Sequence, residues 1–216
     1  NEQRLDNKDM ASLAQYEKLD GVVSLSLRNN QFDYHGVQDL ASSPYLKNLT
    51  SLNLMNNAVG DKGLLLLAES PDLSQLEYLN LENTGITALG ILALSKSPHL
   101  SRLKELNLSG NDLREKGLLI LAESGNFKNL VKLRISGVPV GDSGFLALVH
   151  SNTLSQLEEL EAMGNTITRK SLDSMTTASK LAKLKKLDLR RNKLKEADLI
   201  FLADTPKFQA LEALRF

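Results

Sequence analysis

The sequence has 216 residues, 42% of them hydrophobic, which is enough for a sizeable core. Lysine plus arginine and aspartate plus glutamate number 26 each, so the formal net charge is zero. No global basic field exists to attract nucleic acid or an anionic membrane, and the absence of cysteine excludes disulfides, thiolate nucleophiles and cysteine-ligated metals.

Targeting signals are not visible in the sequence. The longest apolar runs, 64–68 and 145–149, are far shorter than the roughly 20 residues of a membrane span. The first residues are polar, so no signal peptide is recognised, and the missing initiator methionine suggests that preceding residues were removed. We expect a cytoplasmic protein, or one secreted into a host cytoplasm, without a membrane partner.

One pattern, apolar-x-x-Leu-x-Leu-x-x-Asn-x-apolar, recurs along the chain with few substitutions. Counted from its first residue, positions 1, 4, 6, 11, 16, 19 and 25 are apolar in every complete repeat, so we expect them to be buried. The pattern begins every 27 residues, at Val22, Leu49, Leu76, Leu103, Leu130, Leu157, Leu184 and Leu211. Repeats that bury apolar faces against their neighbours predict a solenoid.

In chain order, residues 1–21 come first and continue this register backwards, with Leu5 at position 11 and Met10 at position 16. We therefore expect 1–21 to be a partial repeat. Seven full repeats follow, starting at 22, 49, 76, 103, 130, 157 and 184, and 211–216 is the truncated start of another. The whole of 1–216 is predicted to be a single domain, cut by processing or trimming from a longer protein.

Each repeat combines two periodicities. Leucines at positions 4 and 6 alternate with polar residues, as in Leu52 and Leu54, which indicates a short strand with one buried face. Leu64, Leu67 and Ala68 have the spacing of one helical face. Parallel strands stack at about 4.8 Å, whereas helices are about 10 Å across, so the array must bend. This predicts an α/β solenoid with a parallel sheet on its concave face and helices on its convex face.

Asparagine, glycine and proline mark the turns of the repeat. The asparagine at position 9 is expected to turn inward and satisfy backbone groups at the end of the strand. Glycine at position 15 would let the chain approach its neighbour closely, and proline at position 23 follows the helix. Asparagine occupies position 9 in Asn30, Asn57, Asn111, Asn165 and Asn192.

Four residues in three repeats depart from the pattern. Val138 and Pro139 replace the asparagine and its neighbour, Thr84 is a milder substitute, and Ala162 stands at a leucine position. An unpaired buried backbone group costs about 1 to 3 kcal/mol. We therefore expect local softening over 138–165, with a specialised contact site as the alternative.

The motif Leu103-x-x-Leu106-x-Leu108-x-x-Asn111, repeated in phase, resembles the leucine-rich-repeat family over essentially the whole chain. The helical half, as in 60–71, is similar to the ribonuclease-inhibitor-like subfamily and in particular to its bacterial members with 27-residue repeats. The resemblance implies a right-handed superhelical horseshoe that binds protein on its concave face.

Side chains at positions 2, 3, 5, 7 and 8 are expected to point outward from the strands and form columns. Acidic residues in the repeat at 157 lie beside basic residues in the repeat at 184; these rows are either cross-strand pairs or a surface for a charge-complementary partner. Large side chains suited to binding are predicted at Arg28, Met55, Tyr78, Arg134, Met163, Arg190 and Arg191.

No residue pattern points to catalysis, a metal, a cofactor or a small-molecule substrate. His35, His99 and His150 occupy different repeat positions and cannot converge on one metal. The stretch 141–144, Gly-Asp-Ser-Gly, imitates a serine-protease signature, but it aligns with 60–63 and is predicted to be a repeat turn.

The sequence therefore predicts a non-enzymatic module that binds a protein partner on its concave face. The bacterial resemblance suggests the recognition part of an effector. Two alternatives stay open. One is the substrate-recognition arm of a ubiquitin ligase or a GTPase-activating protein, whose activity lies outside this chain; an activator would need an exposed loop arginine such as Arg114 or Arg169. The other is a structural scaffold.

Overall fold

The computed structural model describes residues 4–203, 205 and 211–216. Within these ranges helices and strands alternate along the chain. They are α1 (Asn7–Ala14), β1 (Ser24–Ser26), α2 (Tyr34–Ala41), β2 (Ser51–Asn53), α3 (Gly60–Glu69), β3 (Tyr78–Asn80), α4 (Ala88–Ser95), β4 (Glu105–Asn107), α5 (Arg114–Glu123), β5 (Lys132–Arg134), α6 (Gly141–Val149), β6 (Glu159–Glu161), α7 (Arg169–Ala178), β7 (Lys186–Asp188), α8 (Glu196–Ala203) and β8 (Ala213–Arg215).

The strands of the described residues form one open parallel sheet in chain order, β1 to β8. Equivalent repeat positions pair with one another, so Ser24 lies beside Ser51 and Ser51 beside Tyr78. The helices pack side by side behind the sheet in the same order. This arrangement confirms the predicted α/β leucine-rich-repeat solenoid, with the sheet on the concave face and the helices on the convex face.

The predicted apolar positions form the core between the two layers. Leu52, Leu79 and Leu106, all at position 4, are completely buried. The equivalent residues of the terminal strands, Leu25 and Leu214, are only partly buried because each has a neighbouring repeat on one side. The expected burial of Leu199 and Phe208, and the turn at Pro206, fall outside what the structure describes.

A ladder of asparagines at position 9 links the repeats, as predicted. The amide nitrogen of Asn57 donates to the carbonyl oxygens of Leu54, 2.9 Å away, and of Leu27 in the preceding repeat, 2.8 Å away. Its amide oxygen accepts from the backbone N–H of Asn30 at 3.1 Å. Each asparagine therefore pairs backbone groups of two repeats that the turn leaves free.

Serine at position 22 forms a second ladder, which the sequence analysis did not anticipate. The Ser70 hydroxyl donates to the carbonyl oxygen of Ala41, at the end of α2, and the Ser97 hydroxyl donates to that of Ala68 in α3. These bonds satisfy carbonyl groups that a helix leaves free in its last turn. Five consecutive repeats carry the serine, at Ser43, Ser70, Ser97, Ser124 and Ser151.

Acidic side chains at position 13 cap the helix of the following repeat. One Asp61 oxygen accepts from the backbone N–H groups of Thr87 and Gly90, at 2.8 and 2.9 Å. Asp142 accepts from the backbone N–H of Thr168 at 2.8 Å in the same way. A carboxylate at a helix N-terminus satisfies free donors and interacts favourably with the helix dipole.

In the repeat without its asparagine, three backbone groups are paired: the N–H groups of Val138 and Val140 and the carbonyl of Ile135. The N–H of Val138 donates to the Asn165 amide oxygen at 2.9 Å, and the Asn165 amide nitrogen donates to the Ile135 carbonyl at 2.9 Å. Pro139 has no N–H, and the N–H of Val140 donates to the Val138 carbonyl at 2.7 Å. The cost that we expected from an unpaired group at these atoms is therefore avoided.

Glycine at position 15 is required by the close approach of neighbouring repeats. A Cβ atom on Gly144 would lie 2.8 Å from the Val140 Cβ and 3.3 Å from the Glu115 Cα of the preceding repeat. The chain enters α6 there with no room for a side chain, as the sequence pattern predicts.

Replacing Asn111 tests the asparagine ladder. Its amide group pairs with the carbonyls of Leu81 and Leu108 and with the N–H groups of Thr84 and Ile86. Asn111→Ala leaves these buried groups unpaired, so we expect the free energy of unfolding to fall by about 3 kcal/mol or more in urea titrations.

The matched control is Asn129→Ala, which removes a single exposed hydrogen bond to the Ser101 carbonyl. We expect that variant to lose less than about 1 kcal/mol. Equal losses in the two variants would contradict a stabilising role for the ladder.

Candidate partner-binding face

The residues predicted to bind a partner lie on the concave face or at its rim. Tyr78 and Arg134 belong to β3 and β5, and both side chains are partly exposed. The other five follow the ends of their strands. Arg28, Met55, Met163 and Arg190 share repeat position 7, and Arg191 comes directly after Arg190.

The structure divides these candidates into two groups. Arg28, Met55 and Tyr78 lie in the first three full repeats, and Arg134, Met163, Arg190 and Arg191 lie in the last three. Four strand spacings separate Met55 from Met163, which is about 19 Å at 4.8 Å per strand. Met55 and Met163 therefore cannot contact one small ligand.

The candidate arginines differ in whether their side chains already form ion pairs. Arg134 Nε lies 3.1 Å from a Glu161 oxygen, and Arg190 contacts both carboxylate oxygens of Asp188. Arg28 and Arg191 are exposed and form no ion pair within the described part of the chain. The backbone of Arg191 has a φ of 57°, so its side chain is held in a left-handed turn at the rim.

Lys132, Arg134, Glu159, Glu161 and Lys186 form what we call the charge grid. Glu159 is its centre, with Lys132 Nζ at 2.6 Å from one side and Lys186 Nζ at 2.5 Å from the other. Lys132 also reaches Glu161 at 3.5 Å. The cross-strand pairing that we considered for these rows is therefore present, and three neighbouring strands hold the charges in place.

Hydrogen bonds from Lys132, and then from Lys186, lower the pKa of Glu159 from its ordinary value of 4.5 to about 2. The Arg190 side chain lowers the pKa of Asp188 by hydrogen bonding. Both carboxylates therefore stay ionised well into the acid range, and the face keeps its alternating charges.

A depression of about 250 Å³ lies over the C-terminal strands of the sheet. It is lined by Lys132, Glu159, Glu161 and Lys186 of the charge grid, by Asp188 and Arg215, and by Leu160 and Leu187. Drug-sized ligands occupy pockets of roughly 300 to 1,000 Å³. The depression has the size of one or two protein side chains.

Two residues of the position 5 column, Asn80 and Asn107, are only 6% and 4% exposed. Their amide oxygens accept from the backbone N–H groups of Glu82 and Ser109, each at 3.0 Å. These two asparagines therefore cap the ends of their strands, which the sequence pattern did not reveal. Arg134 and Glu161, at the same position, are partly exposed on the concave face.

The asparagines at position 8 were also missed and form a ladder at the rim. The Asn56 amide nitrogen donates to the Asn29 amide oxygen at 2.6 Å, and Asn83 donates to Asn56 at 3.0 Å. All three have positive φ, which asparagine tolerates better than most residues. In the sequence, the pairs Asn29-Asn30 and Asn56-Asn57 at positions 8 and 9 could have indicated this ladder.

Within the described ranges, no group of three or more histidine, aspartate or glutamate side chains could hold a metal. His150 contacts Ser174 at 2.9 Å on an exposed surface. In the stretch 141–144, Asp142 accepts hydrogen bonds from Thr168 and Ser171, so it caps α7. Within the same ranges no helix is long and apolar enough to cross a membrane.

The two arginines considered for GTPase activation are both engaged. Arg114 forms a bidentate contact with Asp112, and its backbone has a φ of 52°. Arg169 bonds to Asp173 and Asp198 and lies 3.8 Å from the centre of the Phe201 ring.

Comparisons with known proteins agree with this geometry. A family profile described as Leucine Rich repeat matches residues 45–68 and 99–122. A search of curated proteins found no match. Among solved structures, an internalin (inlF) from Listeria monocytogenes superposes with a TM-score of 0.62 at 20% identity, covering 95% of this chain and 50% of that one.

Two further Listeria monocytogenes structures are similar. InlP gives a TM-score of 0.59 at 15% identity, covering 96% of this chain and 55% of that chain. Internalin C2 gives 0.57 at 23% identity, covering 92% of this chain and 82% of that chain. The chain thus spans about half the length of the first two structures, and the likeness establishes the fold.

Replacing Lys132 tests the electrostatics of the charge grid. Lys132→Met removes the strongest hydrogen bond to Glu159, so we expect the Glu159 pKa, measured by NMR titration of side-chain carboxyls, to rise from about 2 toward 4.5. Because the folded pKa is lowered, ionised Glu159 stabilises the native protein above about pH 4.5, and this contribution disappears as the pH falls toward 2.

Lys104→Met is the control, because Lys104 pairs with Glu77 and not with Glu159. That variant should leave the Glu159 titration unchanged. A Glu159 pKa near 4.5 in the native protein would show that the grid does not hold its charge.

Proposed function

We propose that this chain is a protein-interaction module whose concave face binds a protein partner. The observation that carries the proposal is the depression over the C-terminal strands, lined by fixed alternating charges and too small for most small-molecule ligands. A protruding side chain of a partner protein fits its size and its polarity.

The charge grid is suited to orienting a partner. Its members are already held by their neighbours, so little side-chain freedom is lost when a partner binds. Lys186 is 51% exposed and Arg190 46% exposed, so both can contact an acidic group from the partner without leaving their present pairs. Such complementary charges chiefly raise the association rate and select the orientation of binding.

The free arginines at the two ends of the face extend the contact surface. Arg28 and Arg191 lie six strand spacings apart, which is about 29 Å. Met55, Tyr78 and Met163 lie between them, and large side chains of this kind frequently contribute most of the binding energy. Only a macromolecule can contact both ends at once, and the neutral net charge favours a protein over nucleic acid.

The same proposal includes the subfamily of the repeats and the biological role of the chain. The sequence of 60–71 supports a ribonuclease-inhibitor-like subfamily with bacterial members, and hence a bacterial effector acting in a host cytoplasm. The single-domain division with repeats starting at 22 and every 27 residues thereafter stays a prediction, as does the absence of catalysis in the chain itself. The ligase or GTPase-activator arm and the scaffold remain alternatives. Arg169 does not favour the activator, because its two carboxylate partners and Phe201 hold it.

Affinity capture with matched variants tests the proposal. The immobilised chain is exposed to a host-cell lysate and to a bacterial lysate, beside two concave variants, Arg28→Ser with Tyr78→Ala and Met163→Ala with Arg191→Asn. We expect a protein retained by the native chain to bind at least one concave variant more than about tenfold more weakly when titrated in purified form.

The control is Lys8→Ser with Lys170→Ser, two exposed changes on the helical side. It should retain the partner as the native chain does, with circular dichroism showing that every variant is folded. Equal binding by all variants, or no specific protein from either lysate, would count against a concave interaction face.

A further inference from the structure

The convex face carries an apolar patch over three neighbouring helices. Leu65 of α3, Leu89 of α4 and Leu119 of α5 are 44%, 64% and 40% exposed. A groove of about 610 Å³ runs between α3 and α4, with Leu92 and Ala93 in its wall. Contiguous exposed apolar residues rimmed by polar ones mark surfaces that another molecule covers.

The patch repeats one charged stripe on its two outer helices. On α3, Lys62, Leu65 and Glu69 have the spacing i, i+3, i+7, which places them on one helical face. Two repeats later, α5 carries the same stripe in Lys116, Leu119 and Glu123. Each stripe therefore has a lysine at its first turn, a leucine in the middle and a glutamate at its last turn.

These charges have no ionic partners in the part of the chain that the structure describes. Lys62 lies near the Tyr34 ring, 4.9 Å from its centre, but neither it nor Glu69, Lys116 or Glu123 forms an ion pair. The residues of the charge grid, in contrast, pair with one another. The stripes thus combine exposed leucines with free charges of both signs.

We propose that this convex face binds a second copy of the same chain. The two copies would be related by a two-fold axis that lies between their convex faces. The axis runs in the direction in which the repeats stack and passes over the leucines in the middle of the helices. It places each helix antiparallel to the same helix of the second copy. Lys62 then faces Glu69 of the second copy, Leu65 faces its equivalent, and Lys116 faces Glu123. One patch serves both partners, as a two-fold interface requires.

The parallel arrangement is disfavoured by the same charges. It would place lysine against lysine and glutamate against glutamate on the outer helices, and like charges brought together across an interface are costly. On α4 the antiparallel arrangement places Leu92 against its equivalent and Leu89 against the aliphatic stem of Lys96. The pattern therefore selects one orientation.

The dimer is weak, because two convex surfaces diverge away from their line of contact. Three helices spaced about 10 Å apart, each contacting over about 15 Å, bury on the order of 450 Å² on each copy. A standard stable interface buries about 800 Å² per partner. The concave faces point away from each other in this arrangement, so a multivalent partner would bind two copies with increased avidity.

Charge reversal tests the proposal by sedimentation velocity at rising chain concentration, from micromolar to near-millimolar. One variant carries Lys62→Glu with Lys116→Glu, and the other carries Glu69→Lys with Glu123→Lys. We expect the native chain to shift toward dimer and each variant to self-associate more than about tenfold more weakly, because all four facing pairs become repulsive. An equimolar mixture of the two variants should dimerise again, since every pair is then attractive.

The control, Lys128→Glu with Lys193→Glu, makes the same change in net charge as the first variant, at exposed residues outside the patch, and should dimerise as the native chain does. Three results would overturn the proposal: a native chain that stays monomeric at near-millimolar concentration, single variants that associate as the native chain does, or a mixture that fails to regain association while circular dichroism shows both variants to be folded.

Discussion

The rest of the structure depends on the need to pair backbone polar groups where each strand turns outward. A strand of three residues cannot satisfy the groups that follow it, and the core beneath is apolar. The Asn57 amide bonds to carbonyls of its own repeat and of the preceding one, and the Ser70 hydroxyl donates to the Ala41 carbonyl at the end of the preceding helix. Each repeat is therefore complete only when its neighbour is present, which is why stability is carried by the interfaces between repeats.

The same stacking creates the concave face. Equivalent positions of neighbouring repeats pair directly. Each residue on a strand therefore lies about 4.8 Å from the residue at the same position in the next repeat. Lys132, Glu159 and Lys186 are 27 residues apart and become neighbours. The alternation of charge along the chain thus becomes an alternation across a surface, and Glu159 is stabilised by a lysine on each side.

The two faces use charge in opposite ways. On the concave face the lysines and glutamates of the charge grid neutralise one another, so an arriving partner meets an ordered surface, with Arg28 and Arg191 free at its rim. On α3 and α5 the charges flank exposed leucines and stand without ionic partners in the described residues. We infer a larger partner on the first face and a copy of the chain on the second.

The sequence by itself determined the fold class, the order of strands and helices, the buried apolar positions and the role of the position 9 asparagines. These follow from periodicity, because the spacing of apolar residues decides which positions face inward. The candidate binding residues are at least partly exposed, as expected for side chains that point outward from the strand layer, and their role in binding stays a prediction.

Only the tertiary structure decided which polar side chains form hydrogen bonds or ion pairs within the solenoid. Asn80 and Asn107 look like surface residues in the sequence but are buried caps, and Val138 keeps its pairing through Asn165 of the next repeat. The sequence likewise did not show that Lys62 and Glu69, beside Leu65, lack ionic partners in the described residues. Each of these facts depends on which side chain reaches an atom in a neighbouring repeat, and that distance is set by stacking in three dimensions, not by position along the chain.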